Sequence, residues 1–185
     1  MPVARIEIHG HAIVTDDDRI SGPDGATPEA LRIEADWRRF QDELDKADLI
    51  VLGRLGHEAN PNPKRRRRLV VSSSARGLEM REPAFWWNPA EAEWPQVAAT
   101  LLPNGGRVAV PGGQGVFDLF LTLGYDAFHL TRGRGVTAPG GRALFAACDK
   151  GRTAESVLLD AGLKADETQV LDAAANVVLT LWRKG

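Results

Sequence analysis

The sequence is poor in several features that define whole classes of protein. Among its 185 residues there is one cysteine, Cys148, so an internal disulfide cannot form, which fits a reducing compartment. No apolar run approaches the roughly 18 residues that a membrane-spanning helix needs. The opening segment, MPVARIEIHG, has no signal-peptide pattern. We therefore expect a cytoplasmic protein without membrane association.

Excess charge is also missing. The formal net charge is −2 at pH 7, which gives no general attraction to nucleic acid or to an anionic membrane. One basic tract, Lys64 to Arg68, resembles a nucleic-acid-binding segment, but a single short run in a net-acidic chain is more typical of a solvated strand entry. The composition is otherwise that of a globular protein, and we expect residues 1–185 to form a single domain.

Strand and helix patterns alternate along the chain. This order predicts an α/β domain with a mostly parallel central sheet and helices on both faces, and a late alternating run predicts an antiparallel edge. One helix is expected to begin at Pro89, capped by Asn88. The expected strands cover residues 4–12, 48–53, 69–72, 84–87, 107–111, 126–131 and the tail around 178–182, and the expected helices cover 34–46, 89–102, 113–124 and 154–161.

The segment VAVPGGQGVFDLF, residues 108–120, joins one of these strands to a helix through glycines. It has two interpretations: a tight turn that needs glycine, or a backbone that must closely approach a bound anion. A P-loop is absent, since no glycine-lysine-Ser/Thr sequence occurs. A Rossmann fingerprint fits badly, because Asp118 stands where its third glycine belongs and no acid closes a strand about 20 residues on.

Two other strand ends carry groups that suit phosphate. Arg54 follows Gly53 after one strand, and hydroxyls at Ser72 and Ser73 follow another, with Arg76 close behind. Taken separately, the arginine indicates a surface ion pair and the serines indicate a polar loop. Because the carboxyl ends of parallel strands meet at one edge of a sheet, together they predict a dinucleotide site, with arginine and hydroxyls for a 2′-phosphate.

Four segments in this order and spacing, VLGR with HE, RLVVSSS, VAVPGGQGVFDLFLTLGYDAFHLT and APGGRALF, resemble the dihydrofolate reductase-like superfamily. The chain looks closest to small reductases similar to the pyrimidine reductase domain of bacterial riboflavin biosynthesis. The resemblance implies a three-layer dihydrofolate reductase-like fold, a homodimer, and NADPH-dependent hydride transfer to a small pterin or pyrimidine. It also implies a cis bond between the paired glycines. The cofactor-binding residues it implies are Gly53, Arg54, Ser72, Ser73, Gly112, Gly113, Gln114, Gly115 and Val116.

Asp36 is the candidate proton donor. It lies beside the Trp37 and Phe40 stripe of the first helix, and a carboxylate next to apolar side chains is partly desolvated, which raises its pKa. In the resembled family an acid on this helix, about four residues before an aromatic, assists protonation. The alternative is an ordinary first-turn acid favoured by the helix dipole.

The sequence departs from the family pattern in two places. Gly56 stands where a threonine is expected, and SGPDGATP replaces the proline-tryptophan pair of true dihydrofolate reductases. We expect the loop Asp16 to Thr27 to cover the substrate as a lid. These departures leave a second function open, a non-catalytic nucleotide-binding or regulatory domain, and a third, an RNA-binding module built on the basic tract.

The histidines form one further pattern. His9 and His11 are two apart on a strand and face the same way, and His57 could supply a third metal ligand or the pair could face the substrate. Strand histidines are commonly solvated or hydrogen-bonded, and the single cysteine excludes a cysteine pair for zinc. The sequence therefore predicts no metal site.

Overall fold

The computed structural model describes residues 4–185; residues 1–3, part of the segment without a signal-peptide pattern, lie outside this range. The described chain contains a nine-stranded sheet. Its strands are β1 (Ile6–Val14), β2 (Leu49–Gly53), β3 (Arg68–Val71), β4 (Leu78–Arg81), β5 (Ala84–Trp87), β6 (Gly106–Gly112), β7 (Ala127–Gly133), β8 (Leu163–Asp172) and β9 (Val177–Lys184).

The strand order in the sheet is β4-β5-β3-β2-β6-β1-β7-β9-β8. The six strands from β5 to β7 run parallel, and antiparallel strands close both edges. The helices are α1 (Glu34–Asp45), α2 (Arg54–Ala59), α3 (Trp94–Leu101), α4 (Gln114–Leu123) and α5 (Ala154–Asp160), with short 3-10 segments at Glu29–Leu31 and Ala146–Lys150. This arrangement confirms the predicted fold class.

One face of the sheet carries the larger apolar core. Strand residues alternate between the two faces, so the Leu49 and Val51 side chains enter this core while those of Ile50 and Leu52 do not. Packing is tight at β1: a Cβ on Gly10 would lie 2.3 Å from the Phe128 ring, so only glycine fits there. The aromatic side chains of this core are Trp87, Trp94, Phe117, Phe120, Tyr125, Phe128, Phe145 and Trp182.

The opposite face is covered by α1 and holds a smaller apolar cluster. Leu44 and Phe40 of α1 pack there against β2, β3 and β6. Over β1 and β7, however, the side chains on this face are polar: His9 and His11 come from β1, and His129 comes from β7. The sheet therefore has an apolar face and a face that becomes polar under α1.

The structure corrects several predicted boundaries. The helix expected to begin at Pro89 begins at Trp94, because Asn88 Oδ1 accepts the Ala90 N–H at 3.1 Å and holds a turn there. The residues after Gly53, expected to form a loop, begin with α2. Two strands, β4 and β8, lie outside the predicted ranges. The expected helix over 154–161 is α5, which Thr153 caps, since its Oγ1 accepts the Ser156 N–H at 3.1 Å.

None of the helices within residues 4–185 has both the length and the apolar character that a bilayer span requires.

Candidate active site

The predicted glycine cradle lies where β2 and β6 end side by side. Leu52 pairs with Gly112, and a Cβ on Gly53 would lie 3.9 Å from the Gly113 backbone nitrogen. The Gly112–Gly113 bond is cis, as the resemblance implied. Gly112 has φ 134°, and its Cβ would sit 3.4 Å from the Phe117 ring, which packs beneath the loop. The two strand ends thus form one surface made of backbone.

This backbone surface is open. A Cβ placed on Gly113 or on Gly115 would meet no described atom within 4 Å. Gly113 is also the N-cap of α4, and the first N–H groups of a helix have no partner within the helix. Free donors and the positive end of the helix dipole make such a position suitable for a phosphate group.

The side chains of Gln114 and Val116, two of the predicted cofactor-binding residues, make contacts within the protein. Gln114 Nε2 donates to the Ala143 carbonyl at 3.1 Å, which ties α4 to the glycine-rich loop that follows β7. Val116 is 5% exposed and packs in the larger core. Asp118, which stands where a Rossmann fingerprint has its third glycine, accepts the Ala146 N–H at 3.2 Å in the same region.

The other two strand ends lie beside the cradle. Because β3, β2 and β6 are neighbours, Ser72 and Ser73, Arg54 and the glycines follow three adjacent strands at the same edge of the sheet. Arg54 begins α2 and pairs with Glu58 at 3.0 Å, with half of its side chain exposed. The Ser72 hydroxyl lies 2.9 Å from that of Ser74, and Ser73 is exposed. The structure therefore brings the predicted phosphate-binding groups to one edge.

Asp36 lies in the first turn of α1 and is partly buried. Burial, the largest effect, raises the pKa of its carboxyl, and contact with the Thr131 hydroxyl and the charge of Arg39 only partly offset that rise. Trp37, expected in the buried stripe of this helix, is instead 58% exposed, with its ring 6.1 Å from that of Phe40. The acid thus lies between a polar seam and an exposed aromatic surface.

Strand register relates Asp36 to the cradle. Thr131 pairs with Ile13 on one side of β1, and on the other side the β1–β6 register reaches Val110 opposite Gly10 and extends toward Gly112. Thr131, which contacts Asp36, and the glycine cradle therefore lie on opposite sides of β1, toward the same end of the strand. At about 4.8 Å per strand, β6 and β7 lie about 10 Å apart on the two sides of β1.

The loop predicted to be a lid is fixed at its base. Asp16 N donates to the Val136 carbonyl at 2.7 Å, and Asp16 Oδ2 accepts the Gly135 N–H at 2.7 Å. Arg132 is buried and donates to Asp18 Oδ1 at 2.7 Å, which holds the same loop to β7. Between residues 22–32 and 137–139 lies a cavity of about 510 Å³. The tip of the loop, residues 22–27, lies beyond these bonds, and a lid formed by residues 16–27 stays a prediction.

Below Asp36, the seam between α1 and the sheet contains three histidines. His9 Nδ1 and His129 Nε2 are 3.1 Å apart, and the rings of His11 and His129 stack with centroids 4.3 Å apart. Burial, again the largest effect, lowers the pKa of His11 to about 3 and depresses those of His9 and His129, which favours the neutral form of each ring. Arg39 contacts His129 Nδ1. The expected third histidine, His57, instead contacts Arg68 and Trp86.

Sequence reasoning missed Thr131, His129 and Arg39. The available signal was the alternation in AFHLT, where residues 129 and 131 are polar and share one side of a strand that otherwise looks apolar. What the alternation does not give is the partner strand, because His9 and His129 are 120 residues apart in sequence.

The sheet order, the strand ends and the α1 acid together define a dihydrofolate reductase-like fold. The chain is similar to dihydrofolate reductase from Enterococcus faecalis, solved with NADP(H) and RAB-propyl, with a TM-score of 0.67 and 17% identity over 97% of this chain and 96% of that one. It is also similar to a protein from Shewanella sp. PV-4 provisionally assigned to riboflavin biosynthesis, with a TM-score of 0.69 and 16% identity over 97% and 99% of the two chains. No family model and no curated protein matches the sequence. These likenesses confirm the fold, and the two neighbours are of the kinds that the sequence resemblance named.

Proposed function

We propose that this protein is an NADPH-dependent reductase that transfers a hydride to a small heteroaromatic substrate of the pterin or ribosylaminopyrimidine type. The observation that carries the proposal is the open glycine surface at Gly113 and Gly115, together with the partly buried carboxyl of Asp36, whose contact Thr131 lies on a strand two spacings from β6. Residues 1–185 would act as one reductase domain.

The residues of the cradle fit a dinucleotide. The absence of side chains at Gly113 and Gly115 leaves room for a pyrophosphate against the backbone N–H groups of the α4 N-terminus. Arg54 offers a guanidinium and Ser72 and Ser73 offer hydroxyls for the 2′-phosphate that distinguishes NADPH from NADH. The dihydrofolate reductase neighbour was solved with NADP(H), which supports this assignment. When bound, NADPH supplies the hydride.

Asp36 supplies the proton route. Its raised pKa keeps a larger share of the carboxyl protonated near neutral pH, so it can donate to a substrate nitrogen or to a water that it holds. The exposed Trp37 ring beside it offers a flat apolar surface for a heteroaromatic ring. Thr131 faces the carboxyl and limits its orientation.

The cradle is tested by filling it. Gly113→Val places a branched side chain in the open space, and because no described atom lies within 4 Å, the fold should tolerate it. We expect NADPH affinity, measured by calorimetry, to fall at least tenfold while Tm is nearly unchanged. Ala99→Val, which adds two methyl groups to an exposed position of α3, is the matched control. Wild-type protein that gives no heat with NADPH would refute the proposal.

A non-catalytic nucleotide-binding domain is the second candidate, favoured by Gly56 in place of threonine and by the Arg54–Glu58 pair, which already engages the arginine. The two candidates differ in turnover. Both predict that NADPH stabilises the protein in a thermal-shift series, with NADH much weaker. Only the reductase oxidises NADPH when supplied with dihydropterins or ribosylaminopyrimidines.

The basic tract does not favour RNA binding. Arg66 binds Asp45 and Gln41, Arg67 donates to the Leu101 carbonyl, and Arg68 donates to the Asn60 carbonyl, so these guanidiniums are held within the chain. The tract also enters β3 at its N-terminal end, away from the cradle. A homodimer and a cytoplasmic location stay predictions from the sequence.

A further inference from the structure

We propose that His11, His129 and Glu43 form a binding site for a divalent transition-metal ion, separate from the nucleotide cradle. One ring nitrogen from each histidine and a carboxylate oxygen of Glu43 lie within 4.8 Å of one another. They come from three elements, β1, β7 and α1, that the fold holds together. Two imidazoles with one carboxylate is a ligand set that suits Zn²⁺. The site does not depend on the proposed reductase activity.

His11 carries the second, independent observation. Its ring is 3% exposed, and among residues 4–185 its Nδ1 has no hydrogen-bond partner. Burial removes the hydrogen bond between a ring nitrogen and water, and without a protein partner that loss is not compensated. Unpaired buried ring nitrogens are therefore rare in native structures. The ring stacks on His129 at 4.3 Å and lies 6.0 Å from the Phe40 ring. A metal ion between His11 and His129 would satisfy this nitrogen.

The neighbours of His129 fix its tautomer in a form that can bind a metal ion. Glu7 Oε2 lies 3.6 Å from His9 Nε2, and its negative charge favours a proton on that nitrogen. His9 Nδ1 then accepts from His129 Nε2–H at 3.1 Å, which leaves the lone pair of His129 on Nδ1. A carboxylate that fixes the tautomer of a histidine through hydrogen bonds is the usual support around metal-binding imidazoles.

Arginine competes for the same groups. Arg39 contacts His129 Nδ1, and Arg107 lies 3.7 Å from Glu43, which Lys46 also approaches at 3.1 Å. A bound cation would replace the Arg39 contact and would be repelled by its charge. Arg39 is only partly buried on α1, so its side chain has room to move toward solvent. Removal of this charge should therefore strengthen metal binding.

The seam has an aqueous approach. A cavity of about 370 Å³ opens at the N-terminal ends of β1, β6 and β7, the opposite edge of the sheet from the glycine cradle. His9 and Glu7 line it, and His9 leads directly to His129. The cavity is separate from the nucleotide site, and His9 is the residue that lies between it and the cluster.

The test is direct metal binding by the full chain. Protein stripped with a chelator is titrated with Zn²⁺ by calorimetry and with Co²⁺ by visible absorption, and bound metal is counted after dialysis. We expect about one ion per chain, affinity lowered about 10–100-fold in Glu43→Gln and His11→Gln, and raised in Arg39→Met. His57→Gln, which changes the histidine outside the cluster, should bind as wild type does.

Glu43→Gln keeps the fold testable, because it preserves side-chain shape at a position that stays 13% exposed. Its thermal melt without metal should match that of the wild type within a few degrees, so a loss of affinity reports on the ligand. The proposal is overturned if neither the wild type nor Arg39→Met retains Zn²⁺. It is equally overturned if Glu43→Gln and His11→Gln bind as tightly as the wild type, or if His57→Gln is the variant that loses the ion.

Discussion

The two faces of the sheet solve the same packing problem differently. On one face, α3, α4 and α5 cover a continuous apolar core in which Phe120, Phe128 and Leu144 are fully buried. On the other, α1 covers a small apolar cluster beside a seam of histidines, Arg39, Thr131 and Asp36. Hydrophobic burial is the main stabilising term in folding, whereas buried polar groups add little net stability. The first face therefore supplies most of the stability, and the second, whose buried groups are largely polar, supplies less.

The largest expected effect comes from the apolar face. Phe120→Ala removes a fully buried ring that contacts Trp87, Trp94 and Tyr125, and should lower the free energy of unfolding by about 3–5 kcal/mol. Phe40→Ala, the same change at a half-buried position under α1, should cost clearly less. Urea denaturation with both variants measures the difference. Equal losses would show that the two faces contribute alike.

The next effect should appear on the polar face, in activity. Asp36→Asn removes the proposed proton donor but keeps its shape, and should lower the rate of NADPH oxidation at least about 100-fold. Asp42→Asn, an exposed acid on the same helix, is the matched control and should react at the wild-type rate. A variant at Asp36 with wild-type turnover would remove this residue from the mechanism and would assign the proton to water.

A smaller effect is expected at the strand ends, outside both faces. Arg54→Gln should weaken NADPH binding about tenfold and leave NADH binding unchanged, because only NADPH carries the 2′-phosphate. Arg152→Gln breaks another exposed arginine–carboxylate pair, with Asp160 on α5, and should affect neither cofactor. Calorimetry with both nucleotides checks this. A parallel loss for NADH would mean that Arg54 acts on another part of the dinucleotide.

The smallest effect concerns stability and pH. Because burial raises the pKa of Asp36, the native carboxyl binds its proton more tightly than the unfolded one does. Its contribution to stability is therefore complete below the unfolded pKa and is lost as pH rises through the folded pKa. Asp36→Asn does not titrate, so its Tm should equal or trail that of wild type in acid and exceed it near neutrality. A difference of 1 kcal/mol would shift Tm by about 2–4 °C. A Tm difference that is constant across pH would contradict the raised pKa.

Elements of the fold that depend on local periodicity could be predicted from the sequence. The order of strands and helices and the ends of β2, β3 and β6 followed from alternation, apolar runs and glycines, and Asp36 followed from its register on one amphipathic helix. The polar strand β8 was missed because it is an edge strand whose residues 164–170 are exposed on both faces. Buried and exposed positions therefore do not alternate along it. The α3 start was missed because the Asn88 side chain can cap a helix or hold a turn, and the sequence does not distinguish these.

The histidine seam was out of reach for a different reason. The sequence pairs His9 with His11 and offers His57 as a possible third member, whereas the structure brings His129 to them. Which strand lies beside β1 is decided by the packing of the whole sheet, through contacts between residues more than a hundred positions apart. Such long-range pairing leaves no trace in the spacing of residues along the chain.

The position of β1 also has a consequence for synthesis of the protein. Its two neighbours in the sheet, β6 and β7, begin at Gly106 and Ala127. As the chain leaves the ribosome, β1 emerges before the other strands of this sheet and has neither partner until β6 begins, 92 positions after Val14. Contacts of such high sequence separation slow folding, because a long loop must close before they form. The centre of this sheet, and the cradle and seam on either side of it, should therefore be among the last parts of the molecule to form.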